Sequence, residues 1–258
     1  MKQTKMLFNW WVACAVAFAM VTSAQAAERV GKVVKIKGSA RYSTGNNVWQ
    51  PLSVGTLLKA GALVQTAKDS YVDIALTDSD TAQPPPTASG VGAGGGGGKG
   101  RPGVPQDLVR LSDDSVLAID KLTVVNTGAE KVTETQLDLR SGKILGSVKK
   151  MAAASRFEVR VPNGVAGIRG TLFAISADGV VSVATGQVVI SWTKSDSSTG
   201  TQVVSEGWQF DTRTGELTKI PDLIFQDLKR LEVESVAYYT APTTRQIVDQ
   251  TILFVSPN

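Results

Sequence analysis

A two-residue alternation of apolar and polar side chains is the commonest pattern in this 258-residue chain. Between Arg156 and Val161, the residues Phe157, Val159 and Val161 alternate with charged side chains, as in a strand that buries one face. The same alternation predicts further strands at Val33–Lys37, Val72–Leu76, Leu108–Leu111, Val116–Ile119, Gln136–Leu139, Leu172–Ser176, Val180–Ala184, Gln187–Trp192 and Gln202–Val204. Short strands at this spacing, with no helical pattern between them, predict an all-β domain.

Glycine-containing turns separate several of the predicted strands. Asp178-Gly179 is the strongest of these signals and predicts a type I′ hairpin, in which both central residues have positive φ.

The period of the apolar residues changes from that of a strand to that of a helix after Pro221. Asp222 can cap a helix that reaches about Tyr238, and the face of that helix is predicted to contain Leu223, Leu228, Leu231 and Val236. The last apolar stretch, residues 247–255, fits either a strand or a segment that lies along the sheet.

The first 26 residues have the three parts of a secretory signal peptide. Lys2 and Lys5 form a basic start, an apolar run covers residues 6–21, and Ala24-Gln25-Ala26 is a small-residue cleavage site. The apolar run is short for a membrane span of about 20 residues. We therefore expect cleavage after Ala26 and a periplasmic or secreted protein without a remaining membrane span. The alternative is an uncleaved membrane anchor.

Composition excludes several classes of site. The chain has 27 basic residues, 23 acidic residues, one cysteine and no histidine. Histidine-dependent nucleophiles, histidine-ligated metals, intramolecular disulfides and cysteine metal clusters are therefore excluded. Cleavage would also remove Cys14 and two lysines, which leaves a net charge of +2, too small to suggest nucleic-acid binding. We expect no cofactor and no enzymatic activity. A hydrolase with paired carboxylates is the rival class, but no motif places two acids together.

One insert interrupts the pattern of strands. The segment Ala82–Gln106 contains nine glycines and five prolines and has no apolar face to bury. This composition predicts a disordered loop between two strands whose ends lie close together. A phosphate-binding loop is excluded, because Lys99 is followed by Gly100 and not by serine or threonine.

Three stretches together resemble the FecR domain family. The first begins at Trp49-Gln50-Pro51-Leu52 and ends in the predicted strand Val72–Leu76, and the second is Leu137–Ile144, which resembles the family's L-x-L-x-x-G step. The third is the most specific. Residues 157–162 read FEVRVP and residues 166–173 read AGIRGTLF, similar to the family's F-x-V-x-T-P … A-x-I-R-G-T-x-F signature. The resemblance covers about Val30 to Phe210.

The resemblance implies an extracytoplasmic all-β fold, a solenoid-like stack of short strands with hairpins, and no catalysis. The namesake transducers carry a cytoplasmic anti-sigma segment, one membrane span and a periplasmic FecR domain that senses a receptor. Only five residues precede the apolar run in this chain, so we expect a stand-alone exported domain, with a membrane-anchored periplasmic sensor as the alternative. The expected organisation is a signal peptide over 1–26, a FecR-like domain over 27–220 and a helix with a tail over 221–258.

The segment 140–170 has a local excess of positive charge, with seven basic residues against Glu158 alone. The candidate binding residues are Lys143, Lys149, Lys150, Arg156, Arg160 and Arg169. One interpretation is that they are solvated charges that guard strand edges. The other is that they bind an anionic partner, either an envelope polysaccharide or an acidic protein surface.

Other distinctive residues have simpler interpretations. Arg169 is expected to lock a turn through backbone carbonyls, and Gly170 is expected to supply an unusual φ. Trp49 and Trp208 are expected in the core, although both could stack on sugar rings or peptide. The four acids near the insert are expected to be solvated and not to bind a cation, since they lack calcium-loop spacing. These acids are Asp78, Asp80, Asp113 and Asp114.

Overall fold

The computed structural model describes residues 27–45, 48–79, 107–128 and 130–240. The predicted signal peptide, the insert and the final apolar stretch lie outside these ranges. The described residues form the strands β1 Ala27–Lys37, β2 Ala40–Ser43, β3 Gln50–Pro51, β4 Leu57–Leu58, β5 Leu63–Thr66, β6 Tyr71–Asp78, β7 Asp107–Leu111, β8 Val116–Asn126, β9 Lys131–Ser141, β10 Lys143–Ser147, β11 Arg156–Val161, β12 Gly164–Ile168, β13 Leu172–Ser176, β14 Val180–Thr185, β15 Gln187–Thr193, β16 Thr199–Ser205, β17 Trp208–Asp211 and β18 Glu216–Lys219, followed by the helix α1 Asp222–Thr240.

The strands form two layers. In sheet A the order is β3-β2-β5-β8-β9-β11-β12-β15-β16, and in sheet B it is β4-β1-β6-β7-β10-β13-β14-β17-β18. The strand β1 joins the layers, because its first two residues pair with β8 and the rest of it pairs with β6. The result is a nearly closed, barrel-like arrangement.

The chain adds strands to the two layers in turn. The hairpin β6–β7 lies in sheet B, β8–β9 in sheet A, β11–β12 in sheet A and β13–β14 in sheet B. The pairing of β9 with β11 is parallel, and the other strand pairings of the described residues are antiparallel. Because both sheets lengthen along one axis, the predicted all-β, solenoid-like stack with a C-terminal helix is confirmed.

The main core lies between the two sheets. The ring of Phe157 in sheet A meets the ring of Phe173 in sheet B edge-on, with centroids 6.4 Å apart. Further along the stack, Trp192 and Phe210 make a second contact between the layers at 4.9 Å. Burying each phenylalanine contributes about 1.5–3 kcal/mol, so these pairs hold the layers together without disulfides.

The helix α1 covers the outer face of sheet B. Leu228 and Leu231 are fully buried against Leu108, Leu145 and Leu172. Leu223 and Val236 were predicted on the same face, but they are 73% and 49% exposed. That part of the prediction is wrong, because packing on the sheet selects the positions of Ile224, Leu228 and Leu231. No helix in the described ranges is long and apolar enough to cross a membrane.

The Asp178-Gly179 turn also differs from its prediction. The loop between β13 and β14 contains three residues, 177–179, and Gly179 has φ 95° while Asp178 is not in the positive-φ region. A three-residue loop with glycine at the left-handed position is the next most common hairpin type after the two-residue turns. The hairpin is therefore confirmed, but its type I′ geometry is wrong.

Candidate binding surface

The six candidate residues lie in three places. Lys143 begins β10 on the α1 side of the molecule, and Arg160 lies on the exposed face of sheet A. The other four lie along one lateral edge of the stack, where the chain passes between the layers. Lys149 and Lys150 follow β10, Arg156 begins β11, and Arg169 follows β12.

Strand register brings three of these residues together. Phe157 pairs with Ile168, so Arg156 and Arg169, each one residue beyond that pair, lie beside each other at the same edge. Lys150 lies against Gly170, the residue that follows Arg169. A Cβ atom placed on Gly170 would lie 3.2 Å from Lys150 Cγ. We call Lys150, Arg156 and Arg169 the basic margin.

The charges of the basic margin are poorly compensated. Within the described ranges the side chains of Lys150 and Arg169 have no ion-pair partner, and Arg156 Nε lies 3.5 Å from Glu158 Oε1. Several exposed basic residues elsewhere have closer partners, such as Lys121–Glu134 at 2.7 Å, Arg140–Asp138 at 3.1 Å and Arg213–Asp211 at 2.9 Å. The basic margin is therefore a local concentration of charge that the fold itself does not use.

Arg169 does not hold its turn. Gly170 has φ 64°, as predicted, but the exposed side chain of Arg169 makes no hydrogen bond to a described carbonyl. The turn is held instead by Thr171, whose hydroxyl donates to Gln187 O at 2.9 Å and whose carbonyl accepts from Val148 N at 2.9 Å. The expected locking role of Arg169 is wrong, and its guanidinium is available to a partner.

A buried ion pair fixes the base of the basic margin. Arg29 and Asp107 are both buried and lie 2.7 Å apart, and Arg29 also donates to Thr135 Oγ1 at 3.0 Å. Asp107 Oδ1 in turn accepts from the backbone N–H of Lys149 at 2.9 Å. Sequence analysis missed both residues, because a buried arginine and a buried aspartate have no distinguishing local pattern. Removing one partner of such a pair is strongly destabilising.

Lys143 belongs to a different part of the surface. It lines a cleft of about 360 Å³ between α1 and the turns of sheet B, together with Tyr71, Arg110 and Asp227. Beside this cleft Arg110 binds Asp73 at 2.6 Å and Glu234 of α1 at 2.6 Å. Burial pushes the pKa of Glu234 up, but hydrogen bonds and charge from Arg110 and Lys35 outweigh that effect and hold this pKa below its usual range.

The apolar part of the exposed face of sheet A lies beside the basic margin. Register aligns Val165 with Ser191 and Val189 with Val203, and these three valines are 38–45% exposed. Gly167 lies between them on the same face. Adjacent apolar and uncompensated basic groups are typical of a surface that contacts another macromolecule.

The tryptophans differ in how deeply they are buried. Trp192 is buried, and Trp208 is half-buried against the main core, with Lys219 Nζ 4.2 Å from its ring centroid. Trp49 is half-buried but is not part of the core clusters, so its expected core position is wrong.

The acids that flank the insert in the sequence lie near the surface where they are described. Asp78 pairs with Lys131, and Asp113 and Asp114 are exposed in a turn. Asp80 lies outside the described residues.

A family model covers the part of the chain that contains every candidate binding residue. Residues 106–189 match the model described as FecR protein. Over this segment the chain is similar to the FecR family. The matched segment runs from β7 into β15 and includes the basic margin.

Solved structures similar to this chain include two crystal structures of a "putative anti-sigma factor" from Parabacteroides distasonis. They are 17% and 18% identical to this chain, with TM-scores of 0.32 and 0.33. Each similarity covers 46% of this chain and 53% of the other, so the match spans about half the length of those structures. Comparison with curated proteins finds no match.

Proposed function

We propose that this chain is an exported FecR-type binding module that recognises an acidic protein surface in the cell envelope without catalysis. The observation that carries the proposal is the basic margin. Its three side chains come from separate segments of the FecR match, converge at one edge, and have little compensation from described acids. A cluster of this kind steers an anionic partner and fixes its orientation.

The neighbouring apolar surface favours a protein over a polysaccharide. Val165, Val189 and Val203 provide an apolar area next to the charged edge, and protein interfaces combine an apolar centre with a polar rim. A purely anionic polysaccharide would use the charges alone. Polysaccharide binding at the basic margin is therefore the competing outcome in the experiment below.

The contacts of Asp73 and Glu234 support the proposal of a non-catalytic function. Asp73 and Glu234 both bind Arg110, which holds the pKa of Glu234 low. A carboxylate pair that exchanges protons needs the opposite arrangement, in which one member has a raised pKa. These two acids instead attach α1 to sheet B.

Charge reversal tests the proposal. The double variant Arg156→Glu/Arg169→Glu should lose capture of its partner from an extract of the producing cell's envelope, as measured by quantitative mass spectrometry. The matched control is Arg140→Glu/Arg213→Glu, which makes the same change in net charge at two exposed arginines that have close ion-pair partners. Treating the extract with a protease should abolish capture, whereas loss only after polysaccharide digestion would favour the competing outcome. Equal capture by both double variants would contradict the proposal.

A second candidate function is the membrane-anchored periplasmic sensor, which the FecR family match favours. The two functions differ in the fate of residues 1–26. The exported module predicts a mature protein that begins at Ala27, which mass spectrometry of the periplasmic or secreted fraction would detect. A full-length chain in the inner-membrane fraction would instead support the anchored sensor.

A further inference from the structure

Trp49 lies in a surface cleft at the opposite end of sheet A from β16. The cleft has a volume of about 460 Å³ and is lined by Ser39, Arg41, Trp49, Gln50 and Leu52, among others. A second cleft of about 290 Å³ adjoins it and shares Ser39, Ala40 and Arg41. The two clefts lie on either side of Arg41, and we call them together the Trp49 groove.

The polar side chains of the groove are held in place although they are exposed. Arg41 donates from Nε and Nη2 to Gln65 Oε1 at 2.9 and 2.7 Å, and its guanidinium lies 4.5 Å from the Trp49 ring centroid. Exposed hydrogen bonds and cation–π contacts stabilise a fold only weakly, so this order contributes little to folding. It does lower the entropic cost of binding a ligand.

The charge of Arg41 is not neutralised within the described residues. Its acceptor, Gln65, is a neutral amide, and no described carboxylate forms an ion pair with it. A guanidinium has five N–H donors, and Gln65 uses two of them. The groove therefore offers a positive donor beside an aromatic ring.

We propose that the Trp49 groove binds an acidic polysaccharide, with one sugar ring stacked on Trp49 and its carboxylate paired with Arg41. One face of a pyranose ring presents C–H groups that pack on an indole, and the Gln65 side-chain amide beside Arg41 can bond hydroxyl groups. Two adjoining clefts suit consecutive sugar units. This site is separate from the basic margin, so it neither depends on the proposed function nor supports it.

A proline-rich peptide is the main alternative ligand, since such peptides also dock in grooves lined by aromatic residues. Those grooves recognise the peptide mainly through apolar ring packing, whereas this groove has one tryptophan beside a charged guanidinium and the Gln65 amide. The charge and the amide are better matched by carboxylates and hydroxyls. The peptide is therefore an outcome to be tested.

Calorimetric titration of the mature chain with four probes tests the proposal. The probes are an oligogalacturonate, a neutral gluco-oligosaccharide of equal length, poly-L-glutamate and a proline-rich peptide. We expect the oligogalacturonate to bind most tightly and Trp49→Ala to weaken this binding by about tenfold or more, as for an aromatic hot spot. Trp49→Tyr should retain most of the affinity, and Arg41→Gln should remove the preference for the charged oligosaccharide over the neutral one.

The controls separate this site from general charge effects and from unfolding. Arg156→Glu/Arg169→Glu should leave oligogalacturonate binding unchanged, and Trp208→Phe should also leave it unchanged. Thermal unfolding of Trp49→Ala should match the wild type, since Trp49 is outside the core clusters. Equal binding of poly-L-glutamate, tighter binding of the proline-rich peptide, or unaltered binding by Trp49→Ala would each overturn the proposal.

Discussion

At Gly142 the backbone conformation and the surrounding space both require glycine. This residue has φ 78°, and a Cβ atom on it would collide with Ser115, whose Cα would lie only 2.7 Å away. The hydroxyl of Ser115 also accepts from the backbone N–H of Lys143 at 2.9 Å. Gly142 is the glycine of the L-x-L-x-x-G step, so the family motif marks a turn that closes tightly between β9 and β10.

We predict that Gly142→Ala destabilises the protein by about 3 kcal/mol or more, through a left-handed alanine and overpacking against Ser115. The matched control is Gly215→Ala, which has a similar φ of 74° but open space around the new methyl group. That control should cost only about 1–2 kcal/mol. Denaturant unfolding of both variants measures the difference, and equal losses would show that crowding at Ser115 is unimportant.

The basic margin shows how far a single sequence predicts a site. The charge excess over 140–170 drew attention to Arg156 and Arg169, but their proximity depends on the register of β11 with β12. Gly170, by contrast, was predicted to have an unusual φ because its chemistry is local. Contacts that depend on register or on a buried partner, such as Asp107 with Lys149, have no local signal in the sequence.

At the scale of elements, the strands were easier to predict than the faces they present. The period-two pattern located Leu172–Ser176 with the bounds that the structure gives to β13. The pattern could not show that β6 is buried on both faces. The second face is covered by α1, which begins more than 140 residues further along the chain. For the same reason Asp73, which alternates with the core-facing residues of β6, is fully buried and bound to Arg110.

The attachment of α1 through Glu234 should depend on pH. The lowered pKa of Glu234 means that its ion pairs with Arg110 and Lys35 stabilise the fold above the unfolded-state pKa of about 4.3. This stabilisation is lost as the pH falls through the lower folded-state pKa. We predict that Glu234→Gln reduces stability by about 1 kcal/mol at pH 7 and that the difference from wild type disappears at strongly acidic pH.

Thermal unfolding across a pH series checks this prediction. Glu232→Gln is the matched control, because Glu232 lies on the same helix but pairs, among the described residues, with the exposed Lys229 alone at 3.2 Å. We expect little change in stability for this control at any pH. If the loss of stability caused by Glu234→Gln stayed constant down to pH 2, the helix would be attached by side-chain packing and not by charge.

At the scale of the whole molecule, the alternating layers explain how the chain accepts a long insert. β6 and β7 are adjacent antiparallel strands, with Leu76 paired to Asp107, so the segment between them connects neighbouring strand ends. Both ends of that connection lie at the edge that carries the basic margin, since Asp107 binds the backbone of Lys149. The insert therefore interrupts a hairpin and leaves the order of the stack unchanged.

We predict that replacing Ala82–Gln106 by Asn-Gly leaves the melting temperature equal to that of the wild type or slightly higher. Closing a flexible loop costs only about 0.6 kcal/mol more for each doubling of its length, so shortening this one gains a small amount of stability. Differential scanning calorimetry tests the change, and a fall of many degrees would show that the insert packs on the domain. The same variant should still capture the protein partner, because the basic margin is formed by residues outside the insert. If stability held while capture disappeared, recognition would reside in the insert, and Arg156 and Arg169 would act only as its neighbours.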